Sequence, residues 1–184
     1  MRTTFRAAMK RAVLTAVLVS DEPAGPNEGW SRLAWQYGDS TVRVGFGVAE
    51  TAETASLGYR RYQMALSVGT SPVPNLADEA FIVGPTNSRN RHVHFRLGRV
   101  NVEVSAPGDR IVLCPFQGRE LANCEPTASR PALNFPPLPW QGPNTFEFAE
   151  TAIRFAALFD GELKQLSARP GDRLLIDSDR FPER

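Results

Sequence analysis

An α+β fold built on one antiparallel sheet is what the sequence predicts, and three patterns carry that prediction. Residues 90–105 alternate apolar and polar side chains about a central Gly98-Arg99 pair, the mark of a β-hairpin. A second alternating run, Val42, Val44, Phe46 and Val48, follows the turn residues Tyr37-Gly38-Asp39-Ser40. Between and beyond these lie segments whose apolar residues recur at helical spacing. A chain of 184 residues supports one core, so residues 1–184 read as a single domain.

The first helix spans the region 5–19. Phe5, Ala8, Met9, Ala12, Val13, Ala16 and Val17 share one face at a period of 3.6 residues. Its basic start and the apolar run 12–19 have the outline of a secretory signal, but no small-residue cleavage site follows cleanly. The run is also too short to span a bilayer. "SDEPAGPNEG" is a turn-rich connection to two strands in 30–48. In the second of these, Gly45 and Gly47 leave one face bare, which invites close approach by another group or a bend.

A second helix occupies 51–67, with Thr51 as N-cap and Glu53 in its first turn. Ala55, Tyr59, Tyr62 and Leu66 form its stripe, and Arg60 and Arg61 read as its solvated side rather than as phosphate contacts. Gly58 costs this helix about 1 kcal/mol relative to alanine, and packing against the sheet is the expected reason. "FIVG" is a short strand. In the hairpin that follows, a type II′ turn at Gly98-Arg99 pairs Leu97 with Val100, Phe95 with Val102 and Val93 with Val104. The same register sets His94 opposite Glu103.

Residues 106–144 form a Pro-rich arm or insertion, with a brief strand at Ile111, Val112 and Leu113. Six prolines between Pro126 and Pro143 bar long regular elements. Phe135, Leu138 and Trp140 are too apolar for a loose linker, so the arm is expected to wrap the body or meet a partner. Cys114 and Cys124 admit two readings, one disulfide or two free thiols, since spacing does not reveal geometry. The last helix covers 145–166, with Asn144 and Glu147 as a capping box and Phe148, Ala152, Phe155, Ala156, Phe159, Leu163 and Leu166 on its apolar face. "RLLID" reads as a short final strand before a polar tail. All three helices are expected on the apolar face of the sheet.

Charge excludes more than it suggests. With 21 basic and 20 acidic residues the net charge is +1, no field for nucleic acid or an acidic membrane. No transmembrane segment is expected, and the compartment is left open between cytoplasm and cell envelope. The nucleophile elbow, the phosphate loop and the dinucleotide fingerprint are all missing. Asp78 and Glu79 in "ADEA" are adjacent and diverge, which suits a turn better than paired acid–base work.

The two histidines of the chain, His92 and His94, stand two residues apart and share a strand face with Arg96. A zinc site would need a third protein ligand, with Asp78, Glu79 and Glu103 as the acidic candidates. The reading adopted is a polar, solvated or partner-facing sheet, with neither metal nor cofactor. Trp140, Phe135, His92, His94, Arg96 and Arg99 then form the candidate surface of a noncatalytic interaction or ligand-binding module. Its partner would be an unidentified protein or small ligand, in a homo- or hetero-oligomer. The alternative is a small hydrolase using His94 as base with Glu103, drawing its nucleophile from Ser105, Cys114 or Cys124.

"LADEAFIV" followed by "VHFRLGRVNVEVSAPG" resembles a set of small actinobacterial cell-envelope lipoproteins and sensor-like domains. These carry a GLGDEA-like stretch before a hairpin resembling VRxGNVxVxVS. The matching positions are Leu76, Asp78, Glu79, Ala80 and Phe81, then Arg96, Gly98, Val100, Val102, Val104 and Ser105. The resemblance covers about 30 residues and implies a Mog1/PsbP-like α+β fold, cell-envelope association and a noncatalytic role. It brings no catalytic residues. The chain departs from the pattern in having no lipobox cysteine and a longer Pro-rich stretch.

Overall fold

A computed structural model of the chain describes residues 1–25, 29–66, 69–83, 90–107 and 150–167. In chain order the elements are α1 (Arg2–Ala12), β1 (Val17–Glu22), β2 (Trp30–Tyr37), β3 (Ser40–Val48), α2 (Ala52–Ala65), β4 (Thr70–Pro72), β5 (Glu79–Val83), β6 (Asn90–Leu97), β7 (Val100–Pro107) and α3 (Glu150–Ser167). The strands form one sheet in the order β1-β2-β3-β7-β6-β5-β4, every neighbour antiparallel. The fold is therefore α+β, as the alternation and the helical periods require.

The hairpin register is as expected, with Leu97 paired to Val100, Phe95 to Val102, His94 to Glu103 and Val93 to Val104. Gly98 turns it at φ 55°, a left-handed conformation that costs glycine nothing. Gly38 does the same for the β2–β3 hairpin at φ 53°. One face of the sheet presents Leu33, Trp35, Val42, Val44, Phe46, Val93, Phe95, Val102 and Val104. α1 and α3 cover that face. Phe5 of α1 meets Phe46 edge-on at 5.1 Å and Phe159 of α3 at 4.7 Å, while Trp35 stacks on Phe159 at 6.2 Å.

Three expectations are corrected here. The first helix stops at Ala12, and Val13 already has extended backbone at φ −135° and ψ 93°. The apolar run after it becomes β1, because Val17 and Val19 are β-branched and lose less in a strand than in a helix. Lys10 and Arg11 end α1, where cations complement the helix dipole. Arg2 and Arg6 of α1 both reach Asp21 of β1, which fixes the helix over the sheet edge.

The second correction concerns α2, which packs on the opposite face of the sheet from α1 and α3. Its Tyr59 joins Phe81 and Val83 of β5 in a separate small cluster. Phe81 pairs with His94, so these residues share the face turned away from Val93 and Phe95. Helical period shows that α2 has an apolar stripe but not which face of the sheet receives it. Third, Gly58 needs no close packing, since a side chain there would meet nothing within 4 Å.

Thr51 does cap α2, accepting from the Thr54 N–H at 3.0 Å. β4 is a three-residue edge strand ending in Pro72, a length and composition that blunt the sheet edge. The capping box at Asn144 and Glu147, the strands expected at 111–113 and near the C-terminus, and the Pro-rich arm with Phe135, Trp140, Cys114 and Cys124 lie outside the described residues.

Candidate functional site

The face of the sheet that carries α2 is polar along its middle. Strand pairing aligns Arg32, Gly45, Glu103, His94 and Phe81 in one row across β2, β3, β7, β6 and β5. The row beside it contains Ala34, Arg43, Ser105 and His92, and that on the other side Trp30, Gly47, Asn101, Arg96 and Glu79. α2 lies over the β5–β7 part of these rows. Asn101 donates to the Ala55 carbonyl at 3.2 Å, and Ser56 and Arg60 reach Glu79 at 3.4 and 3.0 Å.

His94 is buried under this helix, 5% exposed, where the sequence alone placed it on a solvated or partner-facing polar face. Its ring lies nearly parallel to Phe81 at 5.0 Å and is covered by Tyr62 of α2 at 4.7 Å. The Tyr59 hydroxyl adds a long contact to the His94 carbonyl at 3.4 Å. Two aromatic walls exclude water from the imidazole, and burial pushes its pKa down to about 4. The nearby Glu103 carboxylate opposes that shift and the other histidine adds to it. His94 is therefore neutral near pH 7, and its buried Nε2 has no hydrogen-bond partner among the described residues. A buried polar atom left in this way calls for a physical reason.

Glu103 sits directly across from His94, but its hydrogen bond is to His92. His92 Nδ1 and Glu103 Oε1 are 3.1 Å apart, a diagonal cross-strand contact that side chains of this length readily span. That bond holds the Glu103 carboxyl below its ordinary range, against burial, with both histidines and Arg32 adding in the same direction. The donor atoms of His92, His94 and Glu103 all lie within 4.8 Å of one another. His92 and Glu103 are partly exposed, so the cluster is closed by α2 on the His94 side and open on the other.

Elsewhere the candidates are tied down. Arg96 is bound to Asp78 at 3.1 Å, to Glu79 at 3.6 Å and to the Gly98 carbonyl at 2.9 Å. Asp78 also accepts from the Gly98 N–H at 2.7 Å, so the "ADEA" pair braces the hairpin turn. Arg99 donates to the Ala49 carbonyl at 2.9 Å, and Ala49 N–H donates back to the Arg99 carbonyl at the same distance. Ser105 is across from His92 and nearly buried, with no hydrogen bond to either imidazole among the described residues. Cys114 and Cys124, the other nucleophile candidates, lie outside the described residues, as do Trp140 and Phe135.

The bare glycine positions have an occupant. Trp30 lies over Gly45 and Gly47, and a Cβ on either would come within 3.4 Å of its ring. At Gly47 the added carbon would also stand 2.8 Å from the Gly29 carbonyl oxygen. The sequence pointed to this approach through the glycines but not to the residue making it. Tyr62 and Phe81 were also missed as the walls of the site. Tyr62 lay in the helical stripe, but only the side on which α2 packs brings it to His94, while Phe81 arrives through the β5–β6 pairing.

No family model, no curated protein and no solved structure matches the chain. Among the described residues, no helix is long and apolar enough to cross a membrane.

Proposed function

We propose that the chain is a noncatalytic ligand-binding module whose ligand engages the polar face of the sheet beside α2. The observation carrying this reading is the half-open cluster of His92, His94 and Glu103, with one buried imidazole held neutral between two aromatic rings. A general base works best with a pKa near the operating pH, and an imidazole near 4 is poorly matched to that task. Glu103 orients His92 rather than His94, so the base-and-orienter pair of the hydrolase alternative is not assembled as that mechanism needs. The Mog1/PsbP-like kinship and cell-envelope setting, implied by the resemblance around Asp78 and Gly98, belong to the same proposal. So does an oligomeric or partner-bound state.

A thermal-shift screen tests it, using divalent metal salts, small organic anions and short peptides, beside a panel of ester, amide and phosphoester substrates. At least one ligand class is expected to raise Tm in the wild type and not in the double variant His92→Asn, Glu103→Gln. Every substrate is expected to turn over at its uncatalysed rate. Turnover that disappears in His94→Ala would establish the enzyme reading instead.

A further inference from the structure

We infer that His92, His94 and Glu103 form a binding site for one divalent first-row transition metal ion, seated between β6, β7 and α2. The inference rests on the reading that this face receives a ligand, and it names the ligand's chemical class. Two borderline imidazole nitrogens dominate the set, beside one hard carboxylate oxygen. They suit zinc, cobalt or iron(II) better than magnesium or calcium, which take oxygen ligands, or copper(I), which prefers sulfur.

The geometry is close to what such an ion requires. Two donors sharing a tetrahedral ion at 2.0–2.1 Å stand about 3.4 Å apart. His92 Nδ1 and Glu103 Oε1 are already 3.1 Å apart. The whole set falls within 4.8 Å, so closing on an ion takes no more than about 1.4 Å of movement. His92 and Glu103 are partly exposed and free to make it.

His94 is the independent sign of a ligand. It is a nearly fully buried imidazole whose Nε2 has no hydrogen-bond partner among the described residues. Phe81 and Tyr62 pack on either side of the ring and hold its plane before any ion arrives. The partly exposed His92 and Glu103 leave a side on which water or a ligand group completes the coordination sphere.

The test uses the full chain stripped with chelator and then desalted. Cobalt(II) is titrated while its visible d–d absorption is followed, and zinc is then added to displace it. The expected result is one ion per chain, with spectra of a low-coordinate nitrogen and oxygen site, and displacement by zinc. Affinity is expected to fall at least about 100-fold in His92→Asn and in Glu103→Gln, beyond the loss that outer-sphere partners cause. Lys164→Gln, a change on α3, is expected to bind as the wild type does. His94→Gln is a third arm; if it fails to fold, the two part-exposed variants, checked by circular dichroism, carry the test.

Absence of one-to-one binding in the wild type would overturn the inference. So would binding of equal strength in folded His92→Asn and Glu103→Gln, which would put the ion elsewhere. Either result leaves the broader binding reading to the thermal-shift screen. His94-dependent turnover alongside intact metal binding would instead sink the noncatalytic reading and keep the metal site.

Discussion

The two faces of the sheet are held by different means. Under α1 and α3 lies a continuous apolar layer in which Phe5, Phe46, Phe159 and Trp35 interlock through ring contacts and Tyr37 meets Phe155. Under α2 the apolar cluster comprises Tyr59, Phe81 and Val83 with Leu66 against it, and polar bonds to Glu79, Asn101 and the His94 carbonyl supply the rest. Burial of apolar area is the larger and less directional stabilising effect, whereas each hydrogen bond contributes about 1 kcal/mol net. One face secures the fold; the other keeps polar groups in place at modest stability.

The sharpest way to break this contrast is Phe159→Ala. It removes a fully buried ring that touches both Phe5 and Trp35, and is expected to cost about 3–5 kcal/mol in urea denaturation. A loss below about 1 kcal/mol would show that the α1/α3 face is not the main support.

Protons should distinguish the faces next, in metal-free protein. His94 has its folded pKa lowered to about 4, so below its unfolded value the native state binds fewer protons than the unfolded chain. Its contribution is complete above about pH 6.5 and is lost as pH falls toward 4, by up to about 3 kcal/mol. Glu103, also lowered, adds a further loss at lower pH, through the carboxylate range. Asp160 on α3 runs the other way. Burial raises its pKa against its bonds to Lys164 and Ala77, so its contribution is present at low pH and lost as pH rises through the folded value. Stability measured from pH 4 to 7 for the wild type, His94→Phe and Asp160→Asn is expected to lose the first slope in one variant and the opposing slope in the other.

Smaller steric effects sharpen the comparison further. Gly47→Ala is expected to cost about 1–3 kcal/mol, because its Cβ would press on the Gly29 backbone carbonyl. Gly45→Ala meets only the Trp30 ring at ordinary contact distance and is expected to cost less. Equal losses by thermal denaturation would mean that Trp30, rather than the Gly29 backbone, sets the constraint. Smallest of all, Gly58→Ala in α2 and Gly161→Ala in α3 each add a methyl in open space. Both are expected to stabilise by about 0.5–1 kcal/mol, through helix propensity alone.

The sequence was most readable where period and turn chemistry agreed. Gly98-Arg99 and the alternating valines gave the β6–β7 register, and Gly38 placed the β2–β3 turn, because a one-residue slip would exchange buried and polar faces. β1 was hidden because Ala16 and Val17 also fit the helical stripe of α1, and only the chain's departure at Val13 separates the two. The candidate site was half visible. His92, His94 and Glu103 were each singled out from spacing, but the burial of His94 depends on α2 crossing to the second face. That is a tertiary choice which no local period encodes. The diagonal pairing of His92 with Glu103 likewise comes from side-chain reach beyond the register.

The strand order also has a kinetic consequence. Pairings β1–β2–β3 and β4–β5–β6–β7 join neighbours along the chain, while β3 and β7 meet only after the polypeptide has closed the loop between Val48 and Val100. Each half can zip from its own tight turn, at Gly38 or at Gly98, before that closure, and the entropy of the distant encounter falls on a single seam. Folding speed should therefore respond to changes at Val44 and Val104 more than to equal changes within either half, and the His92–Glu103 pair would assemble ahead of the seam.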